Sequence, residues 1–366
     1  MKIVEPTLLI DRFKCIRNIE FMANKAKAKN LILRPHFKTH QSKDIAEWFR
    51  DYNIDRITVS SVKMAMYFVE SGWRNITIAF PFNLLEIDRI NQLAARIDLN
   101  LLIIHKESIE FLNHHLNNRV GIFVEIDCGS HRSGISADSI TEIDDLMESI
   151  KKSQGIDFKG FLTHSGHVYH TSDSKQICAV NDVTNYKMSY LKQRYSSIFP
   201  DLICSVGDTP CCTVAEDFSQ IDEIRPGNFV FYDLMQVKLK CCSWKQIALA
   251  VACPVVSINR KRNEIIIYGG AIHFSKEFIC ENGRQIFGLA TQLTANGWSE
   301  PIDGFYLTSL TQEHGIIKVE SGRNINFSLG GVLGILPVHS CLTANLMGSY
   351  KTFDGNVLDH MRSFSN

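Results

Sequence analysis

Short apolar runs, each followed by a stretch with apolar residues every three or four positions, recur along the first two thirds of the chain. The runs occupy residues 30–40, 55–61, 75–81, 99–105, 120–130, 156–167, 202–210 and 221–233. Several are almost continuously apolar, such as "VGIFV" from Val120 to Val124, as strands covered on both faces are. The intervening stretches have helical spacing. "QSKDIAEWFRDY" has Ser42 as a candidate N-cap, and "SVKMAMYFVESG" stops at Gly72, a candidate C′ residue. A long helix is predicted over about 174–197, and the connection after the seventh run is short. Eight strands alternating with helices predict parallel pairing and a (β/α)8 barrel over residues 8–235.

Beyond residue 235 the texture changes. "QIALAVACPVVSINR", "NEIIIYGGAIHFS", "HGIIKVES" and "GILPVHSCLTANLM" all read as strands. They predict a second, mainly β domain over 236–366, to which residues 1–7 would add a strand.

Composition narrows the function without naming it. The chain has 366 residues, with 39 Lys and Arg balanced by 39 Asp and Glu. No basic excess points to nucleic acid, and no apolar run approaches the roughly 20 residues of a membrane span. The N-terminus lacks the apolar core and cleavage site of a signal peptide, so a cytoplasmic protein is expected. Eleven cysteines at irregular spacing read as reduced and mostly buried thiols.

The unusual chemistry collects at the ends of the predicted strands, where such barrels carry their active sites. "RPHFKTH" ends the first run and places Arg34, His36, Lys38 and His40 on alternate positions, hence on one face of an extended chain. Cations around a lysine lower its pKa, which suits Schiff-base chemistry. Asp127, His131 and Arg132 follow the fifth run, and His164, His167 and Tyr169 the sixth. The seventh ends in "SVGDTP", where Ser205 and Thr209 offer hydroxyls and Gly207 lets an anion approach the backbone. Asp208 is expected to point away from such an anion. A lysine and a phosphate site across one barrel mouth would suit pyridoxal phosphate, which carries both an aldehyde and a phosphate. In the β domain, "PVHSC" sets His339 and Cys341 two apart, so that in a strand both would face one metal ion. Two ligands leave the remaining positions to water or substrate.

Together, "PTLLIDRFKCIRNIEFM", "LRPHFKTH", "ITVSSVKMA", "VEIDCGSHRSG", "THSGHVY", "SVGDTP", "IRPGNFVFYDLMQ" and "ILPVHSC" resemble the D-threonine aldolase/D-serine dehydratase family of fold-type III pyridoxal-phosphate enzymes, relatives of alanine racemase. The resemblance runs in order over nearly the whole chain. It implies that Lys38 forms the Schiff base and that Ser205, Gly207 and Thr209 bind the cofactor phosphate. It further implies that Arg132 faces the pyridine ring, that Tyr169 packs near the cofactor, and that His339 and Cys341 bind a divalent metal. A homodimer is implied as well. The chain departs from the pattern at Phe229, where relatives often carry Tyr; Tyr232 is the candidate replacement. His273 and His314 are further polar candidates, His314 near the metal.

Two reactions on β-hydroxy D-amino acids fit this likeness. A D-serine or D-threonine dehydratase would use Lys38 to take the Cα proton and a metal to assist loss of the β-hydroxyl. A D-threonine aldolase would break the Cα–Cβ bond instead, with His36, His164 or His167 as base. The family's aldolases typically show His-x-Asp and its zinc-dependent dehydratases His-x-Cys, so Cys341 favours dehydration. Its soft thiolate also favours zinc over manganese or magnesium. An amino-acid racemase, or a non-catalytic pyridoxal-phosphate carrier without the β domain, is the more remote reading.

Overall fold

The computed structural model describes residues 2–363. The chain forms two compact units. One comprises Phe21–Lys38 and Phe49–Gly227; the other gathers the described parts of Met1–Glu20, Thr39–Trp48 and Asn228–Asn366.

The first unit is the barrel. Its strands in chain order are Ile32–Leu33, Arg56–Val59, Asn75–Pro81, Asp98–Ile103, Val120–Asp127, Ile156–Thr163, Ile203–Val206 and Glu223–Ile224. From the second to the eighth each pairs in parallel with its neighbour in sequence, and the first pairs in parallel with the eighth. An isolated parallel bridge from His36 to Thr58 brings the end of the first run against the second strand. The expected strand over 30–40 is thus much shorter, for a local reason. Pro35 has no N–H to give, yet Arg34 and His36 donate to Ile224 and Pro226 on one side, while Phe37 donates to Thr58 on the other. Residues 37–40 then turn. Alternation holds as far as Phe37, whose ring packs against Phe49, Phe68 and Trp73 at 4.9–5.1 Å.

Helices follow the strands as the spacing predicts. Ser61 caps Val62–Val69 by accepting the Met64 N–H, and the chain leaves that helix through Gly72 at φ +86°. Asp173 caps the long helix Ser174–Tyr195 in the same way. Gly207 is fixed by packing: a Cβ there would lie 2.8 Å from Arg225 Cβ.

In the second unit, six antiparallel strands close into a ring: Leu249–Asn259, Glu264–Tyr268, His314–Val319, Gly297–Leu310, Gly288–Thr294 and Val332–Pro337. The N-terminal strand Thr7–Ile10 adds to Leu249–Asn259, with Thr7 opposite Ala252. This unit does not follow a single cut at 235/236. Ser42 bonds to Asp359 at 2.8 Å and Asn228 to Asp233 at 2.6 Å, which ties both outlying segments to it. "GILPVHSCLTANLM" is only half strand: Ser340–Met347 is a helix, ended by Gly348 in the left-handed region. Among the described residues no helix is long and apolar enough to cross a membrane.

Candidate active site

Lys38 lies at the C-terminal end of the first barrel strand with its side chain exposed. Its backbone N–H points to His36 Nδ1 at 3.4 Å, so this nitrogen accepts and a neutral His36 carries its proton on Nε2. Burial, followed by the charges of Lys38, Arg225 and His164, holds the His36 pKa well below its ordinary value. His164, from the end of the sixth strand, donates through Nδ1 to the Gly207 carbonyl. Burial first, then Lys38, lowers its pKa to about 3. Both imidazoles are therefore uncharged at neutral pH.

The expected row of four cations does not form. Arg34 is buried and donates to Glu223 Oε2 and Asn75 Oδ1, each at 2.6 Å. Its carboxylate partner is Glu223. His40 lies past the turn, in the other unit, and burial lowers its pKa to about 3. The alternation that would have aligned it stops when the chain turns after Phe37.

Arg225 extends the buried network, a residue that pattern reading passed over. It donates to Ser205 Oγ at 2.7 Å and to the Thr163 carbonyl at 2.5 Å; Ser205 Oγ in turn donates to Glu223 at 2.7 Å. One chain of bonds thus runs Arg225–Ser205–Glu223–Arg34. Breaking a buried ion pair on one side leaves an uncompensated charge, costing about 3–5 kcal/mol. Glu223→Ala is expected to destabilise the protein by that order in urea unfolding, and a loss below about 1 kcal/mol would show that the pair does not hold the eighth strand.

Ser205 is therefore occupied, whereas Thr209 is not. The Thr209 Oγ1 is buried and has no hydrogen-bond partner among the described residues. The Asp208 carboxylate turns to cap the following helix through the Cys211 N–H at 2.6 Å, and burial raises its pKa to about 6. An orphaned hydroxyl beside a glycine at a close approach fits a phosphate oxygen.

Arg132 is the exposed arginine, with 59% of its side chain accessible and its guanidinium 4.0 Å from Glu125. Glu125 is buried, takes a 2.8 Å bond from Ser133, and has its pKa raised by burial. Asp127 accepts the N–H groups of Gly129, Ser130 and His131 at 2.8–3.1 Å; these outweigh its burial and hold its pKa low. Its role is to build the loop carrying Arg132. Tyr169 is half-buried on the short helix Gly166–His170. A cavity of about 570 Å³ opens at the N-terminal ends of the barrel strands, lined by Arg34, Arg56, Asp98 and Val120, away from Lys38 and Arg132.

In the β unit, His339 and Cys341 meet across a strand-to-helix turn rather than along a strand. His339 precedes Ser340–Met347, and Cys341 lies in its first turn. The two side chains share a hydrogen bond. Burial opposes charge on His339, but that bond and the Cys341 charge prevail and raise its pKa to about 9. Burial would likewise raise the Cys341 thiol, and the bond to His339 brings it below its ordinary value. A cysteine sulfur and an imidazole nitrogen are a donor set suited to zinc. Cys341 Sγ also lies 3.5 Å from the hydroxyl of Thr39, the residue after Lys38 in sequence, and 3.5 Å from Asn228 Nδ2. Among the described residues no third His, Cys, Asp or Glu completes a cluster. His314 is exposed on a strand opposite Tyr268, because a hairpin there carries its side chain outward. His273 accepts the Gly270 N–H at 3.0 Å, as a local turn would. Tyr232 lies in this unit, fully buried at φ 48°.

Known proteins share this architecture. Residues 10–234 match the description "Alanine racemase, N-terminal domain", and residues 248–353 "Putative serine dehydratase domain". The chain is 29% identical to D-threo-3-hydroxyaspartate dehydratase of Delftia sp., over 96% of this chain and 95% of that one. It is 27% identical to D-serine dehydratase of Dictyostelium discoideum (94% and 91% covered) and 25% identical to D-threonine aldolase of Arthrobacter sp. (97% and 90% covered). A cysteine-to-alanine variant of D-threo-3-hydroxyaspartate dehydratase, solved in the metal-free form, matches with a TM-score of 0.88 and 26% identity over 97% of both chains. A histidine-to-alanine variant, altered two residues earlier, has also been solved. The chain belongs to the D-serine dehydratase and D-threonine aldolase family of fold-type III pyridoxal-phosphate enzymes, lyases built on an alanine racemase-like barrel.

Proposed function

We propose that this protein is a pyridoxal-phosphate- and zinc-dependent dehydratase of small β-hydroxy D-amino acids. The observation that carries the choice is the His339–Cys341 pair, an imidazole and a cysteine sulfur brought together at one strand-to-helix turn. The same two residue types, at the same spacing, were altered in the variants of the hydroxyaspartate dehydratase.

Lys38 would hold the cofactor aldehyde, while Thr209 Oγ1 and the backbone around Gly207 would hold its phosphate. Ser205 would act one step back, by fixing Arg225. When bound, the cofactor supplies an electron sink for charge at Cα, and the metal supplies a Lewis acid for the β-hydroxyl. Lys38 Nζ, released from the aldehyde when the substrate amine takes its place, would take the Cα proton. His164, locked through Nδ1, offers Nε2 as a neutral acceptor. An arginine that faces the ring must be fixed, whereas one that meets a substrate carboxylate must be reachable. Buried Arg225 suits the first task and exposed Arg132 the second.

D-Threonine separates the two reactions. The dehydratase reading expects 2-oxobutyrate and ammonia from metal-loaded enzyme. Glycine and acetaldehyde would make the protein an aldolase and overturn it.

A further inference from the structure

The metal pair rests on a buried carboxylate that no ligand motif names. Asp233 is 1% exposed and precedes the short helix Leu234–Lys238. Its Oδ1 accepts the Gln236 N–H at 3.0 Å, which spends one oxygen on capping that helix. Its Oδ2 is directed to the metal turn. It accepts the Ser340 N–H at 2.9 Å, the Ser340 hydroxyl at 3.2 Å and Asn228 Nδ2 at 2.6 Å. Ser340 is the residue between His339 and Cys341, so this one oxygen fixes the backbone that sets their separation. Asn228 Nδ2 also reaches Ser340 Oγ at 2.9 Å and Cys341 Sγ at 3.5 Å. The carboxylate thus orients the amide that touches the thiolate.

Among the described residues no lysine or arginine forms an ion pair with Asp233; backbone N–H, amide and hydroxyl donors take its oxygens instead.

We infer that Asp233 is a positioning residue for the metal: it holds the Ser340 backbone and Asn228 so that His339 and Cys341 bind a divalent cation tightly. The inference rests on the metal reading above. Outer residues that orient metal ligands are worth about 10–100-fold in affinity. Asp233→Asn keeps the shape but removes the charge.

The test is Co²⁺ binding to the cofactor-loaded protein, read by calorimetry and by the thiolate-to-cobalt absorption band. Asp233→Asn is expected to bind Co²⁺ about 10–100-fold more weakly, with a shifted band and an unchanged cofactor spectrum. Wild-type affinity with an unshifted band in a folded Asp233→Asn protein would overturn the inference. Should that variant not fold, Asn228→Ala carries the test. It removes the N–H facing Sγ and leaves the carboxylate in place; about tenfold weaker Co²⁺ binding supports the inference, and unchanged binding overturns it. If wild-type protein itself gives no thiolate-to-cobalt band, the metal reading falls, a result distinct from equal binding by wild type and variants.

Discussion

Replacing Lys38 with alanine abolishes covalent attachment of the cofactor and lowers turnover by at least about 10³-fold, a positioned general base alone being worth roughly 10²–10⁴. The reason is local. Lys38 is the exposed amine at the mouth, with the neutral imidazoles of His36 and His164 close enough for its charge to lower both their pKa values. Because the side chain is exposed, its removal should alter stability by no more than about 0.5 kcal/mol, so lost activity is not lost folding. The check is a visible-absorbance scan of cofactor-saturated protein beside a turnover assay. A persistent lysine-bound cofactor band in Lys38→Ala would place the attachment elsewhere and end the assignment.

Loss of the metal is expected to have an effect of similar size. A Lewis acid on a departing hydroxyl supplies several kcal/mol, so chelation should reduce dehydration by about 10²–10⁴-fold. Zinc should restore the wild-type protein. Cys341→Ala leaves His339 as the sole protein ligand among the described residues, and added zinc should restore little activity to it. Cys341→Asp replaces a soft donor with a hard one and should move preference from zinc toward manganese or magnesium. Metal content after dialysis, measured with turnover, decides the matter. Full activity in chelator-treated wild type would remove the metal from the reaction.

Much of the barrel was legible because parallel strands covered on both faces leave continuous apolar runs, and Val120–Val124 is such a run. Capping by Ser61 and the exit through Gly72 were readable because both are local backbone matters. The stretch "RPHFKTH" shows the limit. Alternation placed Arg34 and His36 alike, and the structure agrees as far as Phe37. Beyond it the chain turns, and no local pattern announced that Lys38 would stand apart from His40. Nor could spacing show that Arg34 finds Glu223, 189 residues away.

What the sequence alone determined is the inventory and its order: a lysine ending the first strand, a small polar turn ending the seventh, a late His-x-Cys, and the family these imply. Each such feature spans only a few residues, so covalent geometry keeps its parts together in any fold. Which groups are charged, and which are already engaged, only the tertiary structure decided. Burial makes His36 and His164 neutral, Ser205 is taken by Glu223 and Arg225, and Thr209 is left with an unspent hydroxyl. Asp233 serves the metal turn from 107 residues away. Desolvation and hydrogen bonding depend on what surrounds a group in space, and those neighbours come from segments that the linear chain keeps far apart.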